Sequence, residues 1–354
     1  MQLIDWGWNN HFEKQFEPYK REGLTPVRII RENRRNYLAW SEAGELMAEV
    51  SGRFRHAAIG KGDFPAVGDW AAAEVLVDEG KAVIRAVLAR KSAFVRKVPG
   101  PVTEEQVVAA NIDTAFIVCG LDGNYNLRRI ERYLAMAWES GASPVVLLNK
   151  ADICPEAEDR RNEVEAAAIG VPVCAISAAC DQGLDGLREH LRPGRTAAFL
   201  GSSGVGKSTI INRLLGTDRF AVGAVSDSDS RGRHTTTSRE LVMLPDGSLV
   251  IDTPGMRGLK VWGDEDGLKQ AFDDIEALAA DCRFRDCRHG NEPGCAVRAA
   301  VESGTLDAGR LQSFQKLQKE LRYLADRQTM APNALEKERW KKISKIARNF
   351  KKKG

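Results

Sequence analysis

Long apolar runs are missing from this chain of 354 residues. No stretch approaches the roughly 18 to 20 consecutive apolar residues that a membrane-spanning helix needs, so a membrane partner is not expected. The opening Met1-Gln2-Leu3-Ile4-Asp5-Trp6 has neither the basic cluster nor the apolar core of a secretory signal, which points to a soluble, cytoplasmic protein. Cysteine is scarce, and its count of seven is odd. Cys119, Cys154, Cys174 and Cys180 fall in expected strands and loops, which argues against a disulfide framework. There is no internal repeat. What the chain does have is 43% hydrophobic content, enough to bury real cores, and a length that suits two or three domains.

Acid is scarce at the carboxyl end. Residues 337–354 hold nine Lys or Arg against the single acid Glu338, so a net charge of +3 conceals a net acidic remainder. A basic end on an acidic body suits a polyanion such as nucleic acid, whereas the bland reading is a solvated tail.

Residues 26–98 alternate apolar and polar side chains between turn signals (Glu42-Ala43-Gly44, Gly60-Lys61-Gly62-Asp63, Asp78-Glu79-Gly80), which predicts an all-β barrel. Pro99-Gly100-Pro101 breaks the pattern. From Asn111 onward buried strands alternate with helical periodicity, predicting a mostly parallel sheet with helices on both faces. After residue 265 the spacing is helical, with Phe314, Leu317, Leu321 and Leu324 on one face, a packing stripe. The expected division is an N-terminal extension over 1–25, a β domain over 26–105, a nucleotide domain over 106–265 and a helical metal-binding domain over 266–354.

Four segments carry nucleotide chemistry. Gly201-Ser202-Ser203-Gly204-Val205-Gly206-Lys207-Ser208-Thr209 is a complete phosphate loop between an expected strand (196–200) and an expected helix (209–215). Its glycines allow backbone N–H groups to face phosphate oxygens at a helix N-terminus, Lys207 reaches the β- and γ-phosphates, and the Ser208 hydroxyl ligates Mg²⁺. Asn149-Lys150-Ala151-Asp152 ends another apolar strand. A carboxylate only accepts hydrogen bonds, so Asp152 selects guanine, which offers N1–H and a 2-amino group, over adenine, which offers neither. Asn149 contacts the base edge and braces the phosphate loop, and the Lys150 stem lies along the base. Ser177-Ala178, after a third strand, fits a backbone N–H donating to guanine O6. Asp252-Thr253-Pro254-Gly255 follows a fourth: Asp252 holds Mg²⁺ through water, and the Gly255 N–H senses the γ-phosphate.

The base motif precedes the phosphate loop, the reverse of the usual order, so the domain reads as cut and rejoined. Such a pocket survives permutation because its loops sit at the carboxyl ends of neighbouring strands, whatever their sequence order.

In Gly232-Arg233-His234-Thr235-Thr236-Thr237 one threonine completes the Mg²⁺ shell, with Thr236 the candidate. Met256 stands where Ras-like GTPases place a water-orienting glutamine, which predicts slow unaided turnover, on the order of 10⁻⁴ to 10⁻² s⁻¹, and an external activator. His234 is the candidate for positioning water; the alternative is an exposed loop histidine. The catalytic set expected is His234, Lys207 and Thr236.

Cys282, Cys287, His289 and Cys295 make a Cys₃His set within fourteen residues, matching a closed structural Zn²⁺ site with no open position for catalysis. Arg283, Arg285 and Arg288 alternate with these ligands and suit a phosphate backbone.

With Val67-Gly68-Asp69-Trp70 and Cys287-Arg288-His289 through Glu292-Pro293-Gly294-Cys295, these motifs resemble the bacterial ribosome small subunit-dependent GTPase A family over nearly the whole chain. The resemblance implies an N-terminal OB-fold β-barrel, a circularly permuted P-loop GTPase domain and a C-terminal helical zinc domain. It further implies a monomer that docks on the 30S ribosomal subunit and its 16S rRNA, is stimulated there to hydrolyse GTP to GDP, and leaves as the subunit matures. For the barrel, Arg31, Arg34, Arg35, Tyr37, Arg53, Phe54, Arg55 and His56 are RNA-contact candidates. A GTP-dependent RNA-binding scaffold with incidental hydrolysis stays open as an alternative. A small-molecule kinase is disfavoured by Asp152.

Overall fold

The computed structural model describes residues 1–33, 35–98, 104–220, 239–252 and 266–322. Strands β1 (Thr25–Glu32), β2 (Tyr37–Ser41), β3 (Gly44–Val50), β4 (Trp70–Leu76) and β5 (Lys81–Val87) run in the spatial order β1-β2-β3-β5-β4. An additional β1–β4 pairing closes the ring, giving a five-stranded OB-type barrel. Its interior holds Val27, Ile29, Ala39, Leu46, Ala48, Ala71, Ala73 and Ile84, the inward positions of each alternation.

Residues 1–25, which matched no sequence motif, are part of this body. Helix α1 (Asn10–Arg21) is capped by Asn9, whose side chain accepts from the His11 N–H, and it buries Phe12 and Phe16, spaced four apart on one face. Trp8 stands edge-on to Trp70 at 4.7 Å, and Trp6 stacks on Trp40 at 5.0 Å. Helix α2 (Gly52–Ala57) leaves Arg53, Arg55 and His56 exposed on the barrel.

Among the described residues, strands β6 (Ala93–Val98) and β7 (Glu104–Ala110) pair only with each other. The sequence placed residues 93–98 in the barrel, because alternation reveals a strand but not its partner. Val67-Gly68-Asp69-Trp70 forms the joint beside this hairpin. Gly68 has φ +92°, and a Cβ there would lie 2.1 Å from the Ala110 carbonyl oxygen, so only glycine fits. Asp69, fully buried, accepts from Arg90 through both carboxylate oxygens, at 2.8 and 2.7 Å.

The second body contains β8 (Thr114–Gly120), α3 (Leu127–Ser140), β9 (Ser143–Asn149), α4 (Ala157–Ala167), β10 (Val173–Ala175), α5 (Leu184–Arg188), β11 (Thr196–Leu200), α6 (Lys207–Leu215), β12 (Glu240–Met243) and β13 (Leu249–Asp252). Spatial order is β10-β9-β8-β11-β13-β12, parallel except for β12. The order in which strands are added reverses between β8 and β11, which opens a crevice at their carboxyl ends. β12 also pairs with β1, joining barrel and nucleotide sheet in one ladder.

Helix α7 (Asp266–Ala271) packs on α3, α8 (Asp273–Ala279) and α9 (Ala296–Glu302) pack on each other, and a further helix through 308–322 is tied to α3 by the Arg132–Glu320 pair. Phe314, Leu317 and Leu321 of the expected stripe are buried, while Leu324 lies outside the described residues. Arg310, itself buried, ties this module down: it donates to both Asp274 carboxylate oxygens at 2.7 Å, to Glu131 of α3 at 3.1 Å and to the Ala167 carbonyl of α4 at 3.0 Å. No helix among the described residues is long and apolar enough to cross a membrane.

Candidate nucleotide site and metal centre

The phosphate loop leaves β11 at the centre of the sheet and ends in α6, whose first residue is Lys207. Gly206 has φ +98°, and a Cβ there would meet the Asn149 side-chain nitrogen at 2.2 Å. That closeness reflects a direct bond. Asn149 Nδ2 donates to the Val205 carbonyl at 2.8 Å, while its Oδ1 accepts from the Ala178 N–H at 3.0 Å. One buried asparagine therefore clasps the phosphate loop, the Asn-Lys-x-Asp segment and the Ser-Ala segment together.

The other expected residues gather around this clasp. Lys150 adopts the left-handed conformation (φ +68°), and its ammonium is held 2.5 Å from Asp122, which directs its stem. Burial tends to raise the Asp122 carboxyl, but the bond from Lys150 and the Asn124 N–H outweigh it and hold it below the ordinary value. Asp152 is exposed within the short turn Ala151–Ile153. Ser177 is buried and accepts from the Cys180 N–H at 3.2 Å. The Ala178 N–H, expected to face guanine O6, is directed here to Asn149. Ser202, Ser208 and Thr209 are half-buried, and Ser203 is exposed. Gly201 and Gly204 take positive φ where the loop wraps.

Lys207 lies back over its own loop, donating to the Gly201 and Ser202 carbonyls at 2.9 and 2.6 Å. Asp252 ends β13 and is buried. Burial raises its carboxyl above the ordinary value, with Lys207 pulling it down and Glu240 pushing it up. The Ser208 hydroxyl and the Asp252 carboxylate are hard oxygen donors of the kind Mg²⁺ takes in GTPases. His234, Thr236, Thr253, Gly255 and Met256 lie outside the described residues.

Sequence reading missed three residues. Asp122 follows β8, Arg213 donates to the Ala178 carbonyl at 3.1 Å, and Arg129 contacts Ser202 at 3.2 Å. The position of Asp122 directly after a buried parallel strand was the available signal. Arg129 and Arg213 gave none, since helices bring them to the site only in three dimensions. Of the RNA-contact candidates, Arg31 is committed to an ion pair with Glu240, Arg34 lies outside the described residues, and Arg35, Arg53, Arg55 and His56 are exposed.

The four Cys₃His ligand atoms lie within 4.8 Å of one another. His289 Nδ1 is 3.7 Å from Cys282 Sγ and 3.5 Å from Cys295 Sγ, and the two sulfurs are 3.9 Å apart. A tetrahedral metal with sulfur and nitrogen at zinc-like bond lengths has ligand–ligand edges of roughly 3.6 to 3.8 Å, so these residues fit one. His289 takes a left-handed backbone (φ +55°), Gln315 donates to its carbonyl at 2.8 Å, and burial lowers its imidazole pKa, favouring the neutral ligand form. Arg283, Arg285 and Arg288 are exposed around the cluster.

Residues 87–262 match the family model described as RsgA GTPase. A protein of Opitutus terrae named small ribosomal subunit biogenesis GTPase RsgA is 47% identical over 97% of this chain and 96% of its own length. One of the same name from Syntrophotalea carbinolica is 43% identical over 99% and 98%. Among solved structures, YjeQ from Thermotoga maritima superposes with TM-score 0.63 at 26% identity, covering 84% of this chain and 98% of that one. YloQ, described as a circularly permuted GTPase, gives 0.60 at 25% identity over 84% and 95%. The motif order, the clasped loops and these relatives converge: the chain belongs to the RsgA GTPase family and is a GTP hydrolase.

Proposed function

We propose that this GTPase acts in the cytoplasm on the small ribosomal subunit late in its assembly, binding its 16S rRNA as a monomer and hydrolysing GTP faster when docked there. The observation that carries the pocket is the Asn149 clasp, which joins three segments shuffled along the chain. The names of the relatives support the ribosomal role, and the exposed arginines of α2 and of the metal knuckle offer cations to an RNA backbone.

In this reading Asp152 accepts the two guanine donors, with Lys150 alongside the base and the Ser177-Ala178 segment at its O6 edge. The backbone of Gly201–Thr209 wraps the phosphates, and Lys207 turns from its loop carbonyls to the β- and γ-oxygens. Ser208, Thr236 and, through water, Asp252 would hold Mg²⁺, which neutralises charge developing on the phosphates. Gly255 senses the γ-phosphate, and His234 positions the attacking water once the subunit arranges it. Cys282, Cys287, His289 and Cys295 hold one structural Zn²⁺.

The test is GTP and ATP turnover with and without purified small subunits. The reading expects slow GTP hydrolysis alone, at least tenfold stimulation by subunits, and negligible ATP turnover. Unstimulated turnover alongside GTP-dependent subunit binding would instead favour a scaffold with incidental hydrolysis.

A further inference from the structure

Helix α3 presents three arginines near its start, and they face different things. Arg128 pairs with Glu131 and Asp307, and Arg132 pairs with Glu320 at 2.6 Å. Arg129 has no carboxylate partner among the described residues. Its Nη1 lies 3.2 Å from the Ser202 hydroxyl oxygen and 3.5 Å from the Asn124 carbonyl. Ser202 is thus held from two sides by cations, Arg129 on its hydroxyl and Lys207 on its carbonyl.

The loop has a direction. Asn149 grips it at Val205 and Gly206, the end next to the base-reading segments. Lys207 Nζ, the group that reaches β- and γ-phosphates, rests at Gly201 and Ser202. Ser202 therefore marks the terminal-phosphate end, and Arg129 brings there a guanidinium that stays charged at any physiological pH and that no acid among the described residues neutralises.

We propose that Arg129 is a specificity residue that favours GTP over GDP by supplying positive charge at the γ-phosphate end of the loop. The inference rests on reading this site as a guanine-nucleotide pocket. GTP carries its extra negative charge at that end, so the cation strengthens GTP binding more than GDP binding. In a partly exposed, screened site the differential is roughly fivefold.

The experiment titrates the full-length protein with GDP and with β,γ-imido GTP in Mg²⁺, comparing wild type with Arg129→Ala, Arg129→Lys and Arg128→Ala. The last removes the same charge one residue away, where it is already paired. The expected result is a roughly fivefold fall in the affinity ratio of GTP analogue to GDP for Arg129→Ala. Lysine should restore the ratio to within about twofold of wild type, since the effect is that of a point charge, and Arg128→Ala should leave it unchanged. Equal weakening of both nucleotides, an unchanged ratio, a lysine as poor as alanine, or the same fall in Arg128→Ala would each overturn the proposal. Wild-type protein that binds neither nucleotide would instead refute the pocket itself.

Discussion

Asp113 shows how a single carboxylate can secure the base of the phosphate-loop strand. It accepts from the Thr196 N–H at 2.9 Å, from Arg195 at 2.8 Å and from Lys91 at 3.2 Å. Burial alone would raise its carboxyl, but the Thr196 N–H and the two cations more than compensate and hold it below its ordinary 3.8. With the folded-state value depressed, its stabilisation is fully present above the unfolded value and is lost as pH falls through the folded one. Asp113→Asn should therefore lower stability by about 1 to 3 kcal/mol at neutral pH and flatten the acid-unfolding limb below pH 3.8. Urea titrations at several pH values read both effects. Arg28 shows the opposite case. It is buried under Trp70 and bonded to Thr196 at 3.1 Å; burial lowers its pKa to about 10, against the pull of Asp113 and Asp69. Neither role can be read from sequence, because a charged residue in or beside a strand gives no sign of which distant group will receive it.

Among the elements, the C-terminal module depends on two fastenings. Arg310 lies between Asp274 and the fully buried Glu131, whose Oε1 accepts from both Arg310 and Arg128. Removing the arginine strips Glu131 of one of its two cations and takes from Asp274 its ion-pair partner, so Arg310→Ala should cost about 3 kcal/mol and raise amide exchange in α7, α8 and residues 308–322 before the sheet. The second fastening is the metal. Chelation should unfold residues 282–295, seen as loss of amide protection there, while unstimulated GTP turnover persists, because the cluster shares no residue with the nucleotide loops. Both metal ligands and phosphate loop were legible in sequence, since each packs its chemistry into a short run with fixed spacing. Helix α1 was signalled only by Phe12, Phe16 and Tyr19 on one face, a pattern too short to reveal that it packs on the barrel. The β6–β7 hairpin misled for a related reason: period-two alternation identifies strands and leaves their pairing to tertiary structure.

At the scale of the whole molecule, permutation explains the architecture. Strands β8, β9 and β10, which lead into α3 and the base-reading loops, come before β11 in the chain yet lie beside it in the sheet. The barrel joins the opposite edge through β12, so the barrel and the nucleotide sheet share one hydrogen-bonded ladder. Sequence order disclosed the permutation because the motifs themselves are local. The ladder between bodies was invisible, since it rests on one pairing, Arg31 with Glu240, across a long separation. The account's central claim is that the shuffled loops form one pocket in which the Asp152 carboxylate chooses the base. Asp152→Asn replaces an acceptor with a donor, so it should reject the guanine 2-amino group and accept the 2-carbonyl of xanthine. The decisive measurement is hydrolysis of GTP and XTP by wild type and Asp152→Asn. The account predicts that kcat/KM for GTP falls by at least about a hundredfold and that XTP becomes the better substrate. An Asp152→Asn protein that still prefers GTP would contradict it.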